Sequence, residues 1–142
     1  MTSVKRHLAT QLSFALYGAA NRMVRRHKPF LDPFGLTFPQ YLVILELLDI
    51  APVSVGALGD RLGMDTGTIT PLVKRLETAG MLTRTRDPFD ERRVLVDLTE
   101  ASRALEYELR GITGKIQSTC EMTNSEIDDL HVRLEKLARP AD

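Results

Sequence analysis

The strongest constraint on this chain is the punctuation of residues 54–98: a short periodic apolar run, a glycine, a second such run, another glycine, then two β-prone runs. The first run, residues 54–62, carries Val55, Leu58 and Leu62 and stops at Gly63, a residue type that leaves a helix through positive φ at little cost. Asp65 or Thr66 can cap the second run, which reaches Ala79 and is closed by Gly80. Its Ile69, Leu72, Val73 and Leu76 recur at three- and four-residue spacing and form one apolar stripe. The opposite face holds Thr66, Thr68, Thr70, Pro71, Lys74 and Arg75, none of them needed for a core. Small hydroxyl residues at a helix start, followed by basic ones, suit an element that enters the DNA major groove by its N-terminal end. The pattern predicts a helix-turn-helix whose second helix reads DNA.

Residues 82–86 and 93–98 are short β-prone runs around a charged, turn-rich segment, residues 87–92. The hairpin they predict carries Arg84, Arg86, Arg92 and Arg93, with Asp90 placed to orient an arginine. Arginine on a hairpin tip fits the narrow minor groove, where width and potential are read. Arg92 with Asp90 is the expected minor-groove pair, and Arg84, Arg86 and Arg93 are phosphate candidates. An alternative is a winged helix that serves protein association and binds no DNA.

Helical patterns flank this unit. Residues 4–31 repeat Leu8, Leu12, Ala15, Leu16, Ala19 and Met23 and are expected to break at Pro29 and Pro33, with residues 32–35 as the bend. Residues 38–49 predict an apolar helix opened by Pro39, and residues 99–120 and 124–138 two more, capped at Thr99 and at Thr123 or Asn124. Apolar stripes at both chain ends lack an obvious partner in so small a domain. They can cover each other across a two-fold axis and set two recognition helices about 34–36 Å apart, one DNA turn. The expected fold is therefore mainly α with a small β-wing. Residues 1–142 form a single domain: 37–98 the winged helix, 1–36 and 99–142 a helical dimerisation part.

A chain of 142 residues suits one domain. No stretch approaches a membrane helix, the N-terminus lacks a signal-peptide core, and one cysteine excludes an internal disulfide framework, so the chain reads as cytoplasmic. Net charge is zero, but residues 1–36 hold six Lys/Arg against one acidic residue, and residues 104–142 hold five against eight. A neutral total is compatible with DNA binding when the basic groups converge on one face. Ser13 has no Gly-x-Ser-x-Gly elbow around it. His7, His27 and His131 are scattered, with no metal-ligand spacing. Neither an enzyme nor a metal or other cofactor is expected.

Several motifs carry a family resemblance: Thr66-Gly-Thr-Ile-Thr-Pro-Leu-Val-Lys-Arg-Leu76, Gly80-Met-Leu-Thr-Arg84, Asp90-Glu-Arg92 and Leu98-Thr99. They resemble the winged helix of the multiple antibiotic resistance regulator (MarR) family. Tyr17, Lys28-Pro29 and Thr37-Phe-Pro-Gln-Tyr41 extend the resemblance to its organic hydroperoxide regulators, from residue 11 to about 105, and Ile112-Thr-Gly114 matches more loosely. The resemblance implies a homodimer on a pseudo-palindromic double-stranded DNA operator, acting most simply as a repressor. It also implies a peroxide-sensing cysteine in a Leu-Cys-Phe-x-Leu-Tyr context. Here that stretch reads Leu12-Ser13-Phe14-Ala15-Leu16-Tyr17. Serine cannot follow the thiolate oxidation route, and two tyrosines that support the thiol in the family fall at His27 and Phe38. Ser13, Tyr17, His27 and Phe38 are thus the expected effector pocket, taking a small aromatic or anionic ligand. Ser13 and His27 stand roughly 21 Å apart along one helix and would meet only across a dimer; in the blander reading, His27 caps or solvates near the Pro29 bend. The alternative is a hydroperoxide-responsive repressor whose reactive cysteine is replaced, by nature or by engineering, with Ser13. Cys120, read as lying on the helix after the wing and turned by roughly 200° from Ser118, is expected to be structural or incidental.

Overall fold

The computed structural model describes the backbone of residues 8–138 and the side chains of residues 11–137. Residues 4–7 of the expected first helix, and His7, lie outside the described residues. The described chain runs α1 (Leu8–Leu31), a 3-10 turn (Asp32–Phe34), α2 (Phe38–Ile50), β1 (Val53–Ser54), α3 (Val55–Leu62), α4 (Thr66–Thr78), β2 (Leu82–Asp87), β3 (Asp90–Leu98), α5 (Glu100–Arg103), α6 (Glu106–Ser118) and α7 (Asn124–Ala138). The strands form one antiparallel sheet in the order β1-β3-β2.

The expected break at Pro29 is corrected: Pro29 lies inside α1, which continues to Leu31. A proline removes only its own N–H from the ladder, and Leu31 is buried in the core. The chain turns instead at Gly35, in the left-handed region at φ 67°. Thr37 then starts α2 as a capping box with Gln40: the Thr37 hydroxyl accepts from the Gln40 N–H, and the Gln40 side chain accepts from the Thr37 N–H. α2 is the central helix, burying Tyr41, Val43, Ile44 and Leu47.

The helix expected over residues 99–120 is two helices. Thr99 caps α5, and the Ser102 hydroxyl donates to the Met81 carbonyl, tying α5 to the turn before β2. The chain re-aims at Ala104–Leu105 so that α6 can bury Leu109, Ile112 and Ile116 against the core. α6 ends at Ser118 with Thr119 as its C-cap, so Cys120 lies beyond the helix and not on it. Its half-buried thiol donates to the Ile116 carbonyl at 3.4 Å and receives the Arg26 guanidinium at 3.7 Å.

One core unites the winged helix with the helical part: Leu58, Ile69, Val73, Leu76, Leu82 and Val96 pack with Leu31, Ile44, Leu47, Leu109 and Ile112. The chain-end helices remain uncovered. α1 exposes Leu12, Phe14, Tyr17, Met23 and Val24; α7 exposes Leu130, Val132, Leu134 and Leu137. No single helix among the described residues is long and apolar enough to cross a membrane.

Candidate nucleic-acid interface

The helix pair is assembled by short-range bonds. Ser54 Oγ accepts from the Ala57 N–H at 3.2 Å to start α3, and Gly63 ends it at φ 66°. The Met64 N–H returns to the Gly59 carbonyl at 2.8 Å. Asp65, not Thr66, caps α4, its Oδ1 accepting from the Thr68 N–H at 2.9 Å. Ile69, Leu72, Val73 and Leu76 are buried, while Thr66, Thr68, Pro71, Lys74 and Arg75 are exposed and Thr70 is half-buried. Pro71 sits inside α4 and withholds the N–H that the Gly67 carbonyl would have used.

The wing is longer than its β-prone runs. Pairing continues to Asp87 and Asp90, leaving Pro88 and Phe89 as the turn. The register jumps there: Arg86 faces Val94, whereas Asp87 faces Asp90. Glu91, Arg92 and Arg93 thus have no partner on β2 and bulge, a device that re-aims side chains. The Arg86 guanidinium pins the bulge by donating to the Glu91 carbonyl at 2.7 Å. Arg92, with its side chain 90% exposed, stands out from it, and its Nε donates to Asp90 Oδ1 at 3.2 Å. Asp90 and Arg92 are thus paired along one strand.

Thr66, Thr70, Arg84, Arg92 and Arg93 line one cleft of about 380 Å³ with Ser54 at the start of α3. Thr68, Pro71, Lys74 and Arg75 lie outside that cleft on α4, and Arg86 and Asp90 on the wing. Arg84 differs from the other arginines. Its guanidinium donates to Glu77 Oε1 at 3.0 and 3.2 Å, and its N–H donates to Glu77 Oε2 at 3.1 Å. This pair braces the wing against α4, and the side-chain hydrogen bonds from Arg84 hold the Glu77 carboxyl below its ordinary value.

The expected pocket residues fall into two groups within one chain. Ser13 is exposed and Tyr17 is 72% exposed on α1. His27 is 7% exposed, far from a solvated cap. Its ring meets Phe38 edge-on at 4.7 Å and Tyr41 at 5.8 Å. His27 Nδ1 lies 2.8 Å from the Met23 carbonyl, an acceptor only, so Nδ1 carries the proton of that bond. Tyr41, whose hydroxyl meets Thr113 Oγ1 at 3.3 Å, is a cluster member that the sequence reading missed. Its place in a periodic apolar helix marks it only as core. Among the described residues no three His, Cys, Asp or Glu side chains gather as metal ligands would.

A capped recognition-type helix, hydroxyl and basic residues on its open face, and an arginine wing braced against it define a winged helix-turn-helix DNA-binding fold. Residues 34–93 match the model of the MarR family. The chain belongs to that family of transcription regulators. It is 37% identical over 123 residues to the organic hydroperoxide resistance transcriptional regulator of Bacillus subtilis (strain 168), across 87% of this chain and 84% of that protein. Its fold matches reduced AbfR of Staphylococcus epidermidis bound to DNA, with a TM-score of 0.83 and 29% identity over 96% of this chain and 94% of that one. It also matches Bordetella bronchiseptica BpsR, whose DNA binding is regulated by 6-hydroxynicotinic acid, with a TM-score of 0.85 and 25% identity over 96% and 99%.

Proposed function

We propose that this chain is a homodimeric, sequence-specific repressor that occupies a pseudo-palindromic operator and is released by a small aromatic or anionic effector. The observation that carries the DNA part is the convergence of Thr66, Thr70, Arg92 and Arg93 on one cleft, with Lys74 and Arg75 exposed on the same helix. Thr66, Thr68, Thr70, Pro71, Lys74 and Arg75 face the major groove. Arg92, oriented by Asp90, enters the minor groove, and Arg86 and Arg93 meet phosphates. Arg84, spent on Glu77, positions the wing. The uncovered apolar faces of α1 and α7 support a helical dimer interface.

For the effector, the supporting observation is the His27–Phe38–Tyr41 cluster, in which a buried imidazole packs against two aromatic rings. In the dimer, Ser13 and Tyr17 of one protomer approach the His27–Phe38 pair of its partner. The regulation of BpsR by an aromatic acid supports that chemical class. With serine at position 13, cumene hydroperoxide is expected to leave binding unchanged.

Fluorescence anisotropy on DNA from upstream of the chain's own gene tests both parts. Lys74→Ala and Arg92→Ala should each weaken binding and lower the salt slope by about one charge. Unchanged binding in both variants would favour protein association instead. A panel of phenols and aromatic carboxylic acids that leaves DNA affinity flat would remove the effector.

A further inference from the structure

We infer that Phe89 is a wedge that enters the operator's minor groove beside Arg92 and partly unstacks one base step in each half-site. This rests on the DNA-binding reading above and adds to it a residue that reads deformability. Phe89 is 95% exposed at the wing tip, more than any other large apolar side chain among the described residues. Nothing in the fold asks for an aromatic there. A two-residue hairpin turn is served by glycine, asparagine or other small polar residues.

The backbone that carries the ring is nevertheless fixed. The Phe89 N–H donates to Asp87 Oδ1 at 2.9 Å, and the Arg92 N–H donates to Asp90 Oδ1 at 3.1 Å. Arg86 pins the bulge through the Glu91 carbonyl. The two tip aspartates that would repel phosphates are each matched by a cation, Asp87 by Arg93 at 3.9 Å and Asp90 by Arg92 at 3.2 Å. A phenyl ring advanced on a braced hairpin tip, with an arginine beside it, has the form of the apolar wedges that unstack base steps from the minor groove. The ring has no donor or acceptor and cannot read a base edge. Its selectivity would come from the cost of opening the step, lowest at TA and CA/TG steps.

The test begins with duplexes of about 30 base pairs, long enough for two half-sites one turn apart, enriched by the wild-type chain from a randomised pool. 2-Aminopurine is then placed at each step of the enriched sequence. Wild-type binding should raise its fluorescence at one step per half-site. Phe89→Ala should abolish that rise and bind about tenfold more weakly. Its salt slope should stay unchanged, because no charge is removed. Lys74→Ala should lower the slope and keep the fluorescence rise. Wild-type affinity and an undiminished rise in Phe89→Ala would overturn the wedge alone. No enrichment from the pool would overturn the DNA-binding reading and the wedge with it.

Discussion

Gly59 sits where α3 passes closest to the turn that launches α4, and it offers a test of how the helix pair is held. A Cβ at this position would lie 2.8 Å from the Met64 carbonyl oxygen and 3.2 Å from Ile69 Cγ2. The first contact is about 0.6 Å short of ordinary van der Waals separation. Neither neighbour can step aside cheaply. The turn is closed by the Met64 N–H bond to Gly59's own carbonyl, and Ile69 is buried in the core. Gly59→Ala should therefore force α3 away from α4, at a strain cost of about 1–3 kcal/mol. Alanine returns about 1 kcal/mol through better helix propensity. The net loss expected is up to about 2 kcal/mol, or up to roughly 8 °C in Tm for a chain of this size. Gly56, one turn earlier in the same helix, has nothing within 4 Å of its added Cβ. There the same substitution should stabilise, by up to about 1 kcal/mol. Thermal and urea unfolding followed by circular dichroism, at one fixed protein concentration because association shifts apparent stability, would compare the two. If both variants move in the same direction, the close approach is not what Gly59 provides.

Two further predictions concern the elements that set the wing and the turn. The depressed Glu77 carboxyl contributes stability that is present above the group's ordinary value of 4.5 and is lost as pH falls through its lower folded value. Glu77→Gln should accordingly be less stable than wild type at neutral pH, with the gap closing in acid; a gap independent of pH would show that Arg84 is not held by charge. Gly63→Ala, at φ 66°, should cost about 1–2 kcal/mol. Gly63→Asn should cost less, since asparagine tolerates that region, and equal unfolding midpoints for the two variants would contradict the left-handed assignment.

The winged helix was legible because each of its features is local. Gly63 and Gly80 punctuate it, Asp65 and Ser54 are capping residue types within three positions of the N–H they accept, and the Ile69–Leu72–Val73–Leu76 stripe needs only helical periodicity. Asp90 and Arg92, two residues apart, could also be paired from the sequence. Pro29 misled because a proline's local penalty was outweighed by a buried Leu31 two residues on. The split between α5 and α6 depends on Ser102 reaching Met81, a contact across 21 residues. β1 was missed because two residues hold no pattern; it exists through Val53 opposite Val96.

What the sequence by itself determined was the helix-turn-helix and its hairpin, the polar face of α4 and the family resemblance, all matters of spacing and residue type. Tertiary structure decided what each hairpin arginine holds. Four cations on a hairpin look alike in a string of letters. Only the placement of Glu77 turns Arg84 into a brace, and only the register jump at Arg86 and Asp87 lifts Arg92 into solvent. It also gathered His27, Phe38 and Tyr41 into one cluster, because α1 and α2 pack across the Gly35 bend. The physical reason is range: caps and periodicity act within a turn or two of chain, whereas ion pairing and burial depend on groups that meet only once the core has closed.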